Sequence, residues 1–229
     1  MRRLPGNTFD KPWLLLCEGE ADKKFFDRLI RQHNIFPDRF DVHFPCRHGD
    51  NGGGRGKFGA FLETTYRTSP TFRDNVKAVL IVSDNDDDMA ESFRLVRIGL
   101  EASGGFGIPE TERVIVRAPE RPDIMVLMVP MGETGNLETI CVRAAVNKFP
   151  IKPALETYMN ATPAANWRSG KQAKMQMHAL LAATCETNPD TSFAHHWQER
   201  EEFHIPITDD AFTEIILFLL DFENAMASA

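Results

Sequence analysis

An α/β fold, a sheet of mostly parallel strands flanked by helices, is predicted by three observations. Short apolar runs alternate with amphipathic helical stripes through the first 150 residues. Two of those runs, residues 13–17 and 79–82, are unbroken rather than alternating, as strands buried on both faces are. Each passes at once into acid and then into a helical pattern, which is the order of a strand–turn–helix unit. From residue 151 onward helical patterns take over, so residues 1–150 read as an α/β domain and residues 151–229 as a helical extension packed on it.

The elements follow in order. Residues 13–17 form the first strand. Glu18 and Gly19 make the turn, and a helix runs to about Asn34 with Ala21, Phe25, Phe26, Leu29 and Ile30 on one stripe. Asp22 falls in that helix's first turn, where an acid also complements the helix dipole. A second strand covers residues 40–46. A glycine-rich loop with Arg47, His48, Arg55 and Lys57 leads into a short helix whose inward face holds Phe58, Phe61, Leu62 and Thr65. Such a loop can cradle phosphate through backbone N–H groups and side-chain charge, with Arg55 and Lys57 as the candidates. It also reads as a plain flexible linker. Gly54, Gly56 and Gly59 match GxGxxG, but they lie too far beyond the strand for a dinucleotide site.

The central stretch, residues 76–88, is VKAVLIVSDNDDD. Its apolar strand ends in Asp84, Asp86, Asp87 and Asp88, broken by Asn85 alone. Carboxylates packed beyond a strand end repel one another unless something positive neutralises them. A divalent cation with hard oxygen ligands answers that need, and a solvated acidic loop is the competing reading. A helix over residues 89–104 stops at Gly104-Gly105. Strands follow at residues 113–117 and 124–129, with Pro119 and Pro122 between them. Residues 130–136 form a turn-rich loop, and Asn136 suits the N-cap of a helix over residues 137–147 that carries Glu138 in its first turn. Later helices are expected at residues 153–160, 170–186, 192–202 and 209–222, with a frayed tail from residue 223.

Composition bounds the function. A net charge of −7 disfavours a broad electrostatic footprint for nucleic acid but leaves room for a local site. The 4 cysteines show no CxxC pair, so no zinc signature is present, and their scatter fits a reducing compartment. No apolar run is long enough to span a bilayer, which takes about 20 residues. A cytoplasmic protein without a membrane partner is expected. Adjacent His195 and His196 do not share a helix face well enough to share a metal.

Strand–helix alternation implies right-handed crossovers and loops that emerge on one sheet edge. Glu18, the Asp84 group and Glu138 therefore converge on one acidic cleft. Glu18-Gly19 after one apolar strand and Asp84-x-Asp86 after another resemble the Toprim domain of topoisomerases, bacterial primases and OLD-family nucleases. The resemblance implies that Glu18, Asp84 and Asp86 hold Mg2+ or Mn2+ for phosphodiester chemistry. Asp22 matches the EGxxD form of OLD-like members, and Gly135-x-Leu137-Glu138 is similar to their later glutamate motif. Asp22, Asp88 and Glu138 would complete a second metal site. The whole chain is also similar to an uncharacterised Toprim-related bacterial family, through Pro130, residues 135–138, Lys171, Ala173, Lys174 and the closing helix. A stand-alone nuclease acting on nucleic acid is the implied activity. The alternative is a non-catalytic Mg-binding interaction module of a bacterial defence or regulatory system, with a protein partner. A haloacid-dehalogenase-like phosphatase would need Thr or Val after its DxD, where Asp87 stands, and a receiver domain would need an acidic pair that Glu18 and Glu20 do not form.

Overall fold

The computed structural model describes residues 9–45, 53–197 and 205–228. Strand β1 (Trp13–Leu16) lies inside a sheet ordered β2-β1-β3-β5-β4, with β2 at Phe40–His43, β3 at Ala78–Asp84, β4 at Val116–Ala118 and β5 at Arg121–Val129. β2, β1, β3 and β5 are parallel in sequence of pairing, and β4 returns antiparallel along β5. The chain leaves β1 for β2 on one side and then crosses to β3 on the other. The switch point of the sheet thus lies between the carboxyl ends of β1 and β3, the place where open α/β sheets leave a crevice.

Alternate residues of the central strands feed two cores. Trp13, Leu15, Leu80, Val82, Leu127 and Val129 face helix α1 (Glu20–Gln32) and the later helices. Leu14, Leu16, Val79, Ile81, Val126 and Met128 face α2 (Phe58–Thr68), α3 (Pro70–Asn75) and α4 (Met89–Glu101). This is the period-2 alternation of a strand covered on both faces. Helix α5 (Leu137–Lys148) packs on the α1 side. So do buried residues of α6 (Lys152–Asn160), α7 (Ser169–Thr184), α8 (Phe193–His196) and α9 (Thr213–Ser228), which share one apolar cluster with α1 and the sheet. Phe25 of α1 meets Trp197 at 5.1 Å and Phe212 at 5.3 Å between ring centroids, so the late segments complete the core beside β1.

Several element boundaries differ from expectation for identifiable reasons. β4 is shifted to Val116–Ala118, and β5 begins at Arg121, because the chain reverses tightly through Pro119 and Glu120, the latter at φ 59. Pro122 sits where the β4–β5 register shifts, one residue before the β3 pairing starts at Asp123, so it removes no ladder bond with β3. Helix α3 was not evident from periodicity, since Phe72 is its one buried side chain, yet Ser69 caps it and Pro70 starts it. The last helix runs on to Ser228 rather than fraying from residue 223. Phe222 is clamped there against Trp13 and Phe40 at 5.4 and 5.6 Å, and Glu223 pairs with Arg39. The second strand's last expected residue, Cys46, the loop at residues 47–52 with Arg47 and His48, and the part of the expected helix beyond Trp197 lie outside the described residues. Among the described residues, no helix is long and apolar enough to cross a membrane.

Candidate functional site

Glu18 stands on the turn between β1 and α1, two residues past the end of the strand. Its Oε1 accepts a hydrogen bond from Ser83 Oγ and another from the Asp84 backbone N–H at 3.1 Å. Ser83 and Asp84 close β3, the neighbouring strand, so parallel pairing of β1 with β3 brings the two loops together. Asp84 Oδ1 in turn accepts from the backbone N–H of Leu137 at 3.1 Å, the first residue of α5. A carboxylate facing a helix N-terminus is held there by free N–H groups and the helix dipole. Asp22 reaches the same place from the first turn of α1, where its Oδ2 accepts from the Gly19 N–H at 3.0 Å.

Glu18, Asp22 and Asp84 line one cavity of about 10 Å³, closed by Phe26, Val82, Ser83, Val129 and Leu137. That is the room one water molecule needs. Burial pushes the Asp22 carboxyl up to about 7, helped by the negative charges of Glu138 and Glu18. Burial likewise raises Asp84 well above the carboxylate range, with Asp22, Glu18 and Glu138 adding to it. Glu138, in the first turn of α5, is raised by burial as well, and Lys174 opposes the shift. Desolvation works against the charge of Lys174, but Glu138, Asp84, Asp22 and Asp86 outweigh it and keep its ammonium above the ordinary range.

The DNDDD loop is pinned by its asparagine. Asn85 is buried, and its Nδ2 donates to Pro130 O at 2.6 Å and Glu133 O at 2.9 Å. Its carbonyl accepts from Ser92 Oγ at 2.7 Å. These bonds tie the loop after β3 to the loop after β5, and Gly135 N–H donates to Asp86 O at 2.6 Å to finish the join. Asp86 adopts φ 47, and its Oδ2 lies 2.5 Å from Arg55 Nη2. The same guanidinium nitrogen lies 3.2 Å from Glu18 Oε1.

The glycine-rich loop is therefore a mount for Arg55 as far as it is described. Gly54 N–H donates to Glu18 O at 2.8 Å, and a side chain at Gly53 would meet that same oxygen at 1.8 Å. Across the way, a Cβ at Gly99 of α4 would stand 2.4 Å from Arg55 O. Backbone contact on both sides explains why glycine stands at these positions. The 3₁₀ turn Arg55–Lys57 then carries the Arg55 side chain onto the carboxylates.

The other candidate residues of the two loops take the following places. Arg55 is engaged by Glu18 and Asp86 rather than presented to an incoming phosphate. Lys57 ends the 3₁₀ turn, and the lysine whose charge acts on Asp22, Asp84 and Glu138 is Lys174. Asp88 Oδ1 accepts from the Glu91 N–H at 3.0 Å, which makes Asp88 the N-cap of α4. Asp87 accepts from Ser169 Oγ at 2.7 Å and lies 3.8 Å from Arg168 Nε. The grouping differs too: Asp22 shares the cavity with Glu18 and Asp84, while Asp86 turns outward to Arg55 with half of its side chain exposed.

The family model for DUF3226, described as a protein of unknown function, matches residues 12–215. The chain belongs to the DUF3226 family. A solved structure, the C-terminal region of the OLD protein of Xanthomonas campestris pv. campestris, is similar to this DUF3226 chain at 13% identity and a TM-score of 0.39, over 96% of this chain and 100% of that one. No curated protein matches it.

The sequence assigned no site role to two residues of this DUF3226 chain that act here, Lys174 and Ser83. Lys174 is exposed on α7 and acts on the carboxylates through its charge alone, which no local pattern announces. Ser83 carried no signal either, because its role comes from where Glu18 ends up. All the acidic groups here offer oxygen donors, the kind hard divalent cations take. Among the described residues, however, no three His, Cys, Asp or Glu side chains stand ready-made around one ion position.

Proposed function

We propose that this chain is a metal-dependent phosphoryl-transfer protein, a Toprim-type nuclease that acts on nucleic acid through a local site, with Mg2+ or Mn2+ as its cation. The observation that carries the reading is the meeting of Glu18, Asp22 and Asp84 around one water-sized cavity at the sheet's switch point. The donor chemistry fits a hard divalent cation, and a guanidinium already stands in as the cation drawn to Glu18 and Asp86. Glu18, Asp22 and Asp84 would hold the ion, with Asp86 and Glu138 at its margin. Bound there, it would stabilise charge on the attacking and leaving oxygens of a phosphodiester.

The chain's own groups prepare that arrangement. Ser83 Oγ and the Asp84 N–H orient Glu18, and the Leu137 N–H orients Asp84. Lys174 sets positive charge against the carboxylates from the α7 side. The EG and DxD pattern supplies the Toprim comparison through Glu18, Gly19, Asp84 and Asp86.

Calorimetric titration with Mg2+ and Mn2+ should give binding that falls at least about tenfold in Asp84→Asn, a loss of about 1.4 kcal/mol. Cleavage assays on single- and double-stranded DNA and RNA should show metal-dependent hydrolysis that the same substitution abolishes. No binding of either ion at millimolar concentration sinks the reading. The net charge of −7 favours a second reading, a non-catalytic Mg-binding interaction module with a protein partner. Metal binding without cleavage of any of these substrates selects it.

A further inference from the structure

We infer that Arg55 is a built-in competitor for the metal: its guanidinium holds Glu18 and Asp86 in the metal-free chain, and a divalent cation must displace it to bind. The inference rests on the metal-binding reading above. Its observations are the ion pairs themselves. One nitrogen, Arg55 Nη2, bridges Glu18 Oε1 at 3.2 Å and Asp86 Oδ2 at 2.5 Å. The Arg55 side chain is only 14% exposed and that of Glu18 19%, so this pair is shielded from solvent and salt, while Asp86 meets the guanidinium at the surface with half of its side chain exposed.

Glu18 Oε1 has no spare capacity in this state. It accepts from Ser83 Oγ and from the Asp84 N–H as well as facing Arg55, which exhausts the lone pairs of one carboxylate oxygen. Asp86 is turned outward to the same guanidinium. Among the described residues, no three acidic side chains surround a single ion position while the guanidinium is in place. A guanidinium and a divalent cation on the same carboxylates repel, so the two occupancies exclude one another.

The mount of Arg55 is built for that position. Gly54 N–H is bonded to the Glu18 carbonyl, and the backbones at Gly53 and Gly99 approach Glu18 O and Arg55 O too closely to admit a side chain. The arginine is thus held over Glu18 by backbone on both sides, while its long side chain keeps the freedom to leave. Without metal it offsets the mutual repulsion of the acids. With metal bound, its charge is released toward the mouth of the site, where an anionic ligand would meet it. Arg55 is in this sense a positioning residue for the metal-free state.

The test compares wild type with Arg55→Gln and Arg55→Lys by calorimetric titration with Mn2+ and Mg2+, alongside thermal unfolding in chelator and in saturating metal. Arg55→Gln should bind either ion at least about fivefold more tightly than wild type, the lower end of ordinary coupling between two ligands of one site. Its melting temperature in chelator should fall below that of wild type, and metal should restore it by a larger increment than metal adds to wild type. Arg55→Lys, which keeps a charge on a shorter side chain and loses the planar guanidinium, should lie between. Unchanged or weaker metal binding by Arg55→Gln, with its binding still lost on adding Asp84→Asn, overturns the displacement inference and leaves the metal site standing. Absence of binding in all three proteins overturns the metal reading itself and the inference with it.

Discussion

Replacing Asp22 with asparagine should make the metal-free protein more stable at alkaline pH and flatten its pH dependence. Asp22 is buried between Glu18, Asp84 and Glu138, and its carboxyl is held at about 7 against an ordinary value of 3.8. The folded chain therefore keeps a proton on Asp22 at pH values where the unfolded chain has lost it. The stability this group supports is intact below about pH 4 and is lost as pH rises toward about 7, at about 1.4 kcal/mol per pH unit. That corresponds to roughly 4 kcal/mol over the whole window, and about 3 kcal/mol of it falls between pH 5 and pH 8. Asp84 and Glu138 are raised in the same direction and share the same repulsion, which makes 2–3 kcal/mol a fair expectation, in order of magnitude, for the difference Asp22→Asn removes. His43 works the other way: burial depresses its pKa, so its ionisation costs stability on the acid side as pH falls through its ordinary range. Comparing the two proteins cancels that contribution, and the asparagine amide oxygen still accepts from the Gly19 N–H. The assay is urea unfolding in chelator at half-unit steps from pH 5 to pH 8.5. Parallel stability profiles for wild type and Asp22→Asn, or a wild type that gains stability relative to the variant on the alkaline side, would refute the electrostatic account of this cluster.

Two further substitutions separate structure from site. Asp88→Ala should cost about 1 kcal/mol in urea unfolding through loss of the α4 cap, while leaving calorimetric Mn2+ affinity within twofold or so of wild type. A tenfold loss of affinity would return Asp88 to the metal set. Gly99→Ala places a methyl group 2.4 Å from Arg55 O, so it should destabilise the fold by about 1–3 kcal/mol by overpacking and shift Mn2+ affinity in the same direction as Arg55→Gln. Wild-type stability in that variant would refute a close backbone approach of α4 to Arg55.

The acid positions were legible because topology does most of the work once strands are recognised. Glu18 follows β1, Asp84 ends the adjacent parallel β3, and Glu138 lies in the first turn of the helix after β5, so each had to emerge on one edge. The strands could be read from unbroken apolar runs, and α1 from its stripe of Phe25, Phe26, Leu29 and Ile30. Helix α3, with one buried side chain, gave no stripe to read. The reach of α9 to Ser228 depended on Phe222 finding Trp13, more than 200 residues away in sequence.

By itself, then, the sequence determined that strands alternate with helices, that the sheet is largely parallel and that acids gather beyond its carboxyl edge. Those properties follow from periodicity and composition, which act locally. Tertiary structure alone decided which acids share the cavity, which one became a helix cap, and that the arginine of the glycine-rich loop faces the carboxylates. Such choices turn on side-chain direction and backbone approach. Asp22 and Asp84 point into one cavity because a helix's first turn and a strand's end happen to meet there. Asp88 turns away because the first turn of α4 has an unfilled N–H, that of Glu91, for it to accept from.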